Sequence, residues 1–170
     1  MKLIPKTKAP DLTVKRIVGE DWSLADQEPE NFLMLVFYRG RHCPICKTYL
    51  ENLNTLLDDA ADRGVKVFAV SGDTQERAEA CLGDWEVDDL EIGYGMTPEQ
   101  MREWGLYISK AIKEEEPEVF GEPALFLIRP DQTIYYIAYN SMPMGRPDPK
   151  DILEFVDFAL KKDYPARGES

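Results

Sequence analysis

The sequence predicts an α/β fold, a three-layer sandwich with a mixed central sheet flanked by helices and an N-terminal β-hairpin. Three observations carry that prediction. First, "FLMLVFY" (32–38) and "VKVFAV" (65–70) are continuous apolar runs of strand length, the composition of strands buried on both faces. Second, Tyr49, Leu50, Leu53, Leu56 and Leu57 recur between them at helical spacing up to Gly64, a suitable stop. A strand, a crossover helix and a second strand make a unit in which the two strands run parallel. Third, "ALFLIRPDQTIYYIAYN" (124–140) holds two apolar segments around the turn "RPDQ", an antiparallel hairpin that makes the sheet mixed.

The remaining elements follow in order. Thr13 to Ser23 alternates around "VGED" and predicts a hairpin turning near Gly19 and Glu20. "SGDTQERAEACLGDW" predicts a helix capped by Ser71 or Asp73, with Glu76 close behind. A short strand is expected at Leu90 to Ile92. Thr97 then caps a helix whose first position is Pro98. Ser109 to Glu122 is polar and is expected to be a solvated loop. "DPKDILEFVDFALKK" closes the fold as an amphipathic helix, with Ile152, Phe155, Val156, Phe158 and Leu160 on its apolar side. One domain spans 1–170, and 163–170 is expected to be a flexible tail.

Composition narrows the function classes. The chain has 170 residues, 20 Lys and Arg, 32 Asp and Glu, and a formal net charge of −12. Such a surface repels phosphate backbones and anionic lipid, so neither nucleic acid nor a membrane surface is an expected partner. No apolar run approaches the length that crosses a bilayer, and the N-terminus lacks a signal peptide's apolar stretch. A cytoplasmic protein is the expectation. Three cysteines, two of them close together, do not make a structural disulfide framework; in a reducing compartment the close pair points to redox or metal chemistry.

That pair is Cys43 and Cys46, in "FYRGRHCPICKTYL" (37–50) between the first buried strand and its helix. This is the carboxyl end of a strand, where sites in open α/β sheets lie. Pro44 suits the first helical position because its missing N–H costs nothing there. The free N–H groups and positive helix end then favour a thiolate at Cys43, and Arg39, Arg41 and His42 add positive charge. Cys46, one turn along and nearer the helix body, is placed to close a disulfide. The expected division is Cys43 attacking and Cys46 resolving.

A zinc site is the competing reading, but it wants four ligands and only His42 and Cys81 remain. His42 reads as a charge partner, with a proton-transfer role as the alternative. Cys81, in "AEACL", reads as a buried core residue. Met142, Pro143 and Met144 read as cover for a sheet edge, or as an apolar patch near the active site or on the face of a homodimer.

Three stretches together resemble a known pattern. "FLMLVFYRGRHCPICKTYLENLN" resembles the first strand, active-site loop and helix of thioredoxin-fold proteins, in the peroxiredoxin-like branch that retains a CxxC. "VKVFAVSGDTQERAEA" resembles the next strand and helix of the alkyl hydroperoxide reductase and thiol-specific antioxidant superfamily. "GEPALFLIRPDQTIYY" resembles the segment carrying the cis-proline of thioredoxin-fold proteins. The resemblance implies that Cys43 and Cys46 are the redox pair and Pro123 the cis-proline; from the residues alone, Pro123 reads as a strand-start proline.

The chain also departs from the family pattern. Gly40 stands where peroxiredoxins place Thr or Ser, and Glu122-Pro123-Ala124 stands where they carry a peroxide-polarising arginine. Arg39, Arg41 and Arg146 are candidate substitutes. The resulting expectation is a thiol-disulfide oxidoreductase of peroxiredoxin-like type that reduces peroxides, protein disulfides or both. A cellular dithiol resets it, and no organic cofactor or metal is implied. A metal-binding or non-catalytic interaction protein on the same fold is the alternative.

Overall fold

A seven-stranded mixed sheet organises the protein, whose structure, a computed structural model, describes residues 2–170. The elements run β1 (Thr13–Arg16), β2 (Trp22–Ser23), β3 (Phe32–Phe37), α1 (Pro44–Thr55), α2 (Leu57–Asp62), β4 (Val65–Val70), α3 (Gln75–Asp84) and β5 (Ile92–Tyr94). They continue with α4 (Pro98–Glu103), β6 (Ile108–Lys110), β7 (Val119–Gly121), β8 (Ala124–Ile128), β9 (Ile134–Tyr139) and α5 (Pro149–Lys162). The strand order is β2-β1-β5-β4-β3-β8-β9. β3, β4 and β5 are parallel to one another, whereas β8 and β9 on one side and β1 and β2 on the other join antiparallel. This is the mixed α/β sandwich with its N-terminal hairpin that the apolar pattern predicts.

All six residues of the central strand β3 are buried, and its alternation builds two cores. Phe32, Met34 and Val36 pack with Cys46, Leu50 and Leu53 of α1 and with Ile152, Leu153 and Val156 of α5. Leu33, Leu35 and Phe37 point the other way, onto Trp22, Phe68, Met101, Trp104 and Phe126. A strand sandwiched in this way has no polar face, which is why its sequence reads as a continuous apolar run. Its burial fixes the height at which the chain emerges beyond Phe37, and with it the position of the site.

Several expectations need correction. The helix after β3 breaks at Leu56, which leaves helical geometry at φ −102° and ψ 4°, so α1 and α2 are separate. Thr74, not Ser71 or Asp73, caps α3, accepting from Arg77 N–H; Ser71 and Asp73 are buried before it. The strand expected at 90–92 lies at 92–94, because pairing with β4 places Ile92 beside Ala69. The loop expected at 109–122 contains an antiparallel ribbon, β6 with β7, despite its charge. The 163–170 segment folds back as well. Tyr164 C=O accepts from Tyr135 Oη at 2.7 Å, Ala166 is buried, and Lys6 pairs with Glu169 at 2.7 Å.

Pro123 is the largest departure from the family expectation. Every peptide bond among the described residues is trans, so the bond before Pro123 is not the cis bond the resemblance implies. Pro123 instead leads directly into β8, and its carbonyl accepts from Asn140 N–H at 2.9 Å, extending the β8–β9 ladder. The strand-start reading holds, since a proline at that position loses no ladder donor.

Candidate active site

Cys43 ends the loop between β3 and α1 and is the N-cap of α1, with Pro44 at the first helical position. Its extended backbone, φ −104° and ψ 105°, turns the side chain across the open helix end, where Sγ accepts the Cys46 N–H at 3.2 Å. A sulfur therefore occupies the place usually filled by a capping Ser or Asp oxygen. The two cysteine side chains approach to 3.0 Å and are both reduced. Cys43 is 3% exposed and Cys46 is fully enclosed.

The pair is electrostatically asymmetric. The Cys43 pKa is brought down to about 6, chiefly because the Cys46 thiol donates to its thiolate. The Cys46 N–H, Arg146 and Arg39 add to this and outweigh the cost of burial. Cys46 is driven the other way, far above an ordinary thiol, by burial and by its donation to Cys43. At neutral pH the pair is thus one thiolate and one thiol sharing a proton bridge, and the thiolate is the nucleophilic partner.

The cations around the pair are not all those expected. Arg39 faces it and is fixed by a two-pronged ion pair to Glu122, Nε to Oε2 at 2.7 Å and Nη2 to Oε1 at 2.8 Å. The Glu122 side chain is 2% exposed and also accepts from Ser109 Oγ at 2.6 Å. Arg41 instead turns to Asp84 at 2.6 Å, on the α3 side. The reason is local: Gly40, at φ +135°, reverses the chain, and Arg41 N–H bonds Asp73 Oδ2 at 2.9 Å, so the side chain leaves toward α3. His42 packs edge-on against Phe120, and its pKa is lowered by burial and by Arg39 and Arg77. A neutral ring contributes no charge to the thiolate.

Arg146 takes the place left by Arg41. It comes from the 140–148 loop, donates through Nη2 to Cys46 Sγ at 2.7 Å, and lies over the Tyr49 ring at 4.5 Å. Tyr49 Oη in turn donates to Pro147 C=O at 2.7 Å, tying the loop to α1. Met142 and Met144 of the same loop are exposed while Pro143 is buried, so the segment is a mount for Arg146 as well as an edge cover. Arg146 was a candidate by charge alone. Sequence offers no means of seeing that a loop 100 residues from Cys46 returns to it.

Glu122 and Asp73 carried no sequence signal for the site beyond being acidic residues beside strands. Gly40 carries the sign of Asp73: a Cβ built there collides with Asp73 Oδ1, at a φ that L side chains rarely adopt. Gly40→Ala is expected to lower stability by about 2 kcal/mol. Urea unfolding read by tryptophan fluorescence measures it, and an unchanged midpoint contradicts the close packing described here.

Cys81 is buried against the Arg41 side chain, and burial pushes its thiol up to about 12. It is an inert thiol at neutral pH. Among the described residues no group of three or more His, Cys, Asp or Glu side chains is arranged to hold a metal ion, and no helix is long and apolar enough to cross a membrane.

Comparison with known proteins agrees with this geometry. A sequence model described as the AhpC/TSA family matches residues 5–137. The fold is similar to the reduced 2-Cys peroxiredoxin of Plasmodium vivax, with a TM-score of 0.79 at 16% identity over 96% of this chain and 86% of that one. It is similar to peroxiredoxin 6 of Arenicola marina, with a TM-score of 0.82 at 18% identity over 96% and 76% of the two chains. AhpC of Mycobacterium tuberculosis gives 0.74 at 15% identity, over 96% of both chains. A search of curated protein sequences finds no match.

Proposed function

The chain belongs to the AhpC/TSA family and is a thiol-dependent oxidoreductase, and from that premise we propose that its oxidant is a peroxide and that Cys43 attacks it. One observation carries the choice of oxidant. Cys43 is 3% exposed, at the helix end and close to the Arg39 charge, so a small peroxide reaches it more readily than the disulfide of a folded protein.

The reaction divides into two steps. The Cys43 thiolate attacks the terminal oxygen of R–O–OH; the S–O bond forms as the O–O bond breaks, leaving Cys43 sulfenic acid and an alkoxide that takes a proton from the Cys46 thiol. Cys46, now a thiolate beside the Arg146 guanidinium, attacks the Cys43 sulfur and expels hydroxide, and the Cys43–Cys46 disulfide forms. The balance is one thiol, one thiolate and one peroxide giving a disulfide, an alcohol and a hydroxide. A cellular dithiol returns the disulfide to the starting pair by two exchange steps. Cysteine usage supports a reducing, cytoplasmic setting, and no organic cofactor or metal enters the scheme.

Arg39 and Arg146 have different parts in this reading. Arg39, held by Glu122, faces the attacking sulfur and the peroxide oxygens; Arg146 stabilises the sulfur that must ionise second. Gly40 and Pro123, at the places of the family's hydroxyl residue and arginine, supply no side-chain donor, so the side-chain hydrogen bonds to the peroxide come from the Arg39 guanidinium.

Stopped-flow fluorescence on the reduced protein tests the proposal. Oxidation by hydrogen peroxide is expected to outpace reduction of insulin disulfides by at least about a hundredfold, the range spanned by one well-placed catalytic group. Equal or faster reaction with insulin overturns the choice of peroxide.

A further inference from the structure

A recess of about 310 Å³ is lined by Arg41, His42, Arg77 and Glu115. It begins one residue before the nucleophile. Among the described residues both ring nitrogens of His42 are buried without a hydrogen-bond partner, while the Arg41 side chain also reaches the Cys81 thiol. Arg41 meets Asp84 only through Nη2, at 2.6 Å. Arg77, from α3, donates Nη1 to the backbone carbonyl of Glu115 at 2.9 Å and, among the described residues, has no carboxylate within ion-pair distance.

One buried carboxylate, Asp73, lies near both Arg41 and Arg77 and accepts the Arg41 N–H; the other acidic groups nearby are engaged elsewhere or stand at the rim. Glu116 accepts the Ile112 N–H at 2.7 Å, Asp84 is taken by Arg41, and the Glu115 side chain is exposed. A chain of net charge −12 thus turns two guanidiniums and a histidine into one recess, with donors to spare. A histidine whose buried ring nitrogens lack a partner, beside a guanidinium that meets only a backbone carbonyl, points to a ligand that accepts from them.

We propose that Arg41, His42 and Arg77 form a carboxylate subsite, which anchors an acidic small molecule whose reactive sulfur or oxygen then reaches Cys43. The inference rests on the peroxide reading and names the substrate class for the same site. The forked donors of Arg match a carboxylate, and the His42 ring supplies one further N–H. Two kinds of molecule share this chemistry.

One is a carboxylate-bearing thiol acting as reductant. Its thiolate attacks Cys43 of the disulfide, forming a mixed disulfide and releasing Cys46 as thiolate; a second thiolate then displaces Cys43 and leaves as the small disulfide. The other is a carboxylate-bearing hydroperoxide acting as oxidant, which transfers its terminal oxygen to Cys43 and departs as the alcohol.

Matched pairs separate these sources. Reduction of the Cys43–Cys46 disulfide is timed with mercaptoacetate and with its methyl ester, compared per thiolate. Oxidation of the reduced protein is timed with a fatty-acid hydroperoxide and with its methyl ester. The acid is expected to exceed the ester by about tenfold in at least one arm, and that arm identifies the source. In that arm the ratio falls to about one in Arg77→Gln and below one in Arg77→Glu, while Arg77→Lys keeps most of it.

Added salt gives a reading that needs no variant. Attraction at the recess makes the acid's rate fall with ionic strength, whereas repulsion by the net negative surface alone makes it rise. Acid-to-ester ratios near one in both arms, a ratio unchanged in Arg77→Gln, or a rate that rises with salt overturns the subsite. Failure of every peroxide to oxidise Cys43 overturns the underlying function instead, and the subsite with it.

Discussion

Glu122→Ala is expected to destabilise the protein by about 3 kcal/mol, the lower end of the cost of breaking a buried ion pair by removing one partner. The lower end applies because the Arg39 side chain is 18% exposed and recovers some hydration, whereas Glu122 is at 2%. Two guanidinium bonds and the Ser109 hydroxyl bond are lost together. In a domain of this size the change lowers Tm by roughly 6–12 °C. The chemistry suffers too, since Arg39 loses its ion pair and keeps only the weaker contact with the Phe120 ring, 5.3 Å away, to hold it toward Cys43. Removing both charges in Arg39→Met with Glu122→Leu restores most of the stability but not the peroxide rate, because no stranded charge remains. Calorimetry with stopped-flow kinetics on the two variants checks both halves. A stable Glu122→Ala protein that reacts at the parent rate contradicts the role assigned to the pair.

Cys43→Ser is expected to lower the peroxide rate by at least about a thousandfold, the minimum scale on which removal of a nucleophile acts. Cys46→Ser behaves differently. Its hydroxyl still donates toward Cys43, so the first oxidation proceeds, but nothing attacks the sulfenic acid and turnover stops after one equivalent of peroxide. Mass spectrometry after dimedone treatment should find the adduct at Cys43 in Cys46→Ser and none in Cys43→Ser. Cys46→Ala goes further, because it removes the largest of the influences that lower the Cys43 pKa, and its first oxidation is slower as well. An adduct on Cys46, or full turnover by Cys46→Ser, reverses the assignment.

Much of this fold was legible because the central strand and its neighbours are buried on both faces, so apolar runs and helical spacing report them without help from distant residues. The polar ribbon β6–β7 was not legible. Its pairing is fixed by tertiary contacts such as Ser109 with Glu122, which composition does not reveal. The thiol pair and the proline ahead of its helix were plain for the same local reason. The cations were legible only as a tendency: proximity in sequence favoured Arg41 and His42, but the reversal at Gly40 turns Arg41 toward Asp84, and burial keeps His42 neutral. Arg146 arrives from a loop whose course depends on β9 and α5 both being in place. The cis-proline came from resemblance alone, and the backbone at Pro123 is trans.

The thiolate also ties stability to pH. Its pKa is depressed on folding, so its contribution is fully present above the unfolded value of about 8.5 and is lost as pH falls through about 6.

Alkylation of reduced wild-type protein by iodoacetamide, followed from pH 4 to 10 on the peptide containing Cys43, reads the ionisation of that sulfur directly. The rate should climb through a midpoint near 6 and stay level up to pH 8, with Cys46 and Cys81 unmodified. A midpoint near 8.5, the value of a free thiol, would contradict a sulfur held ionised by the helix end, its partner thiol and two arginines.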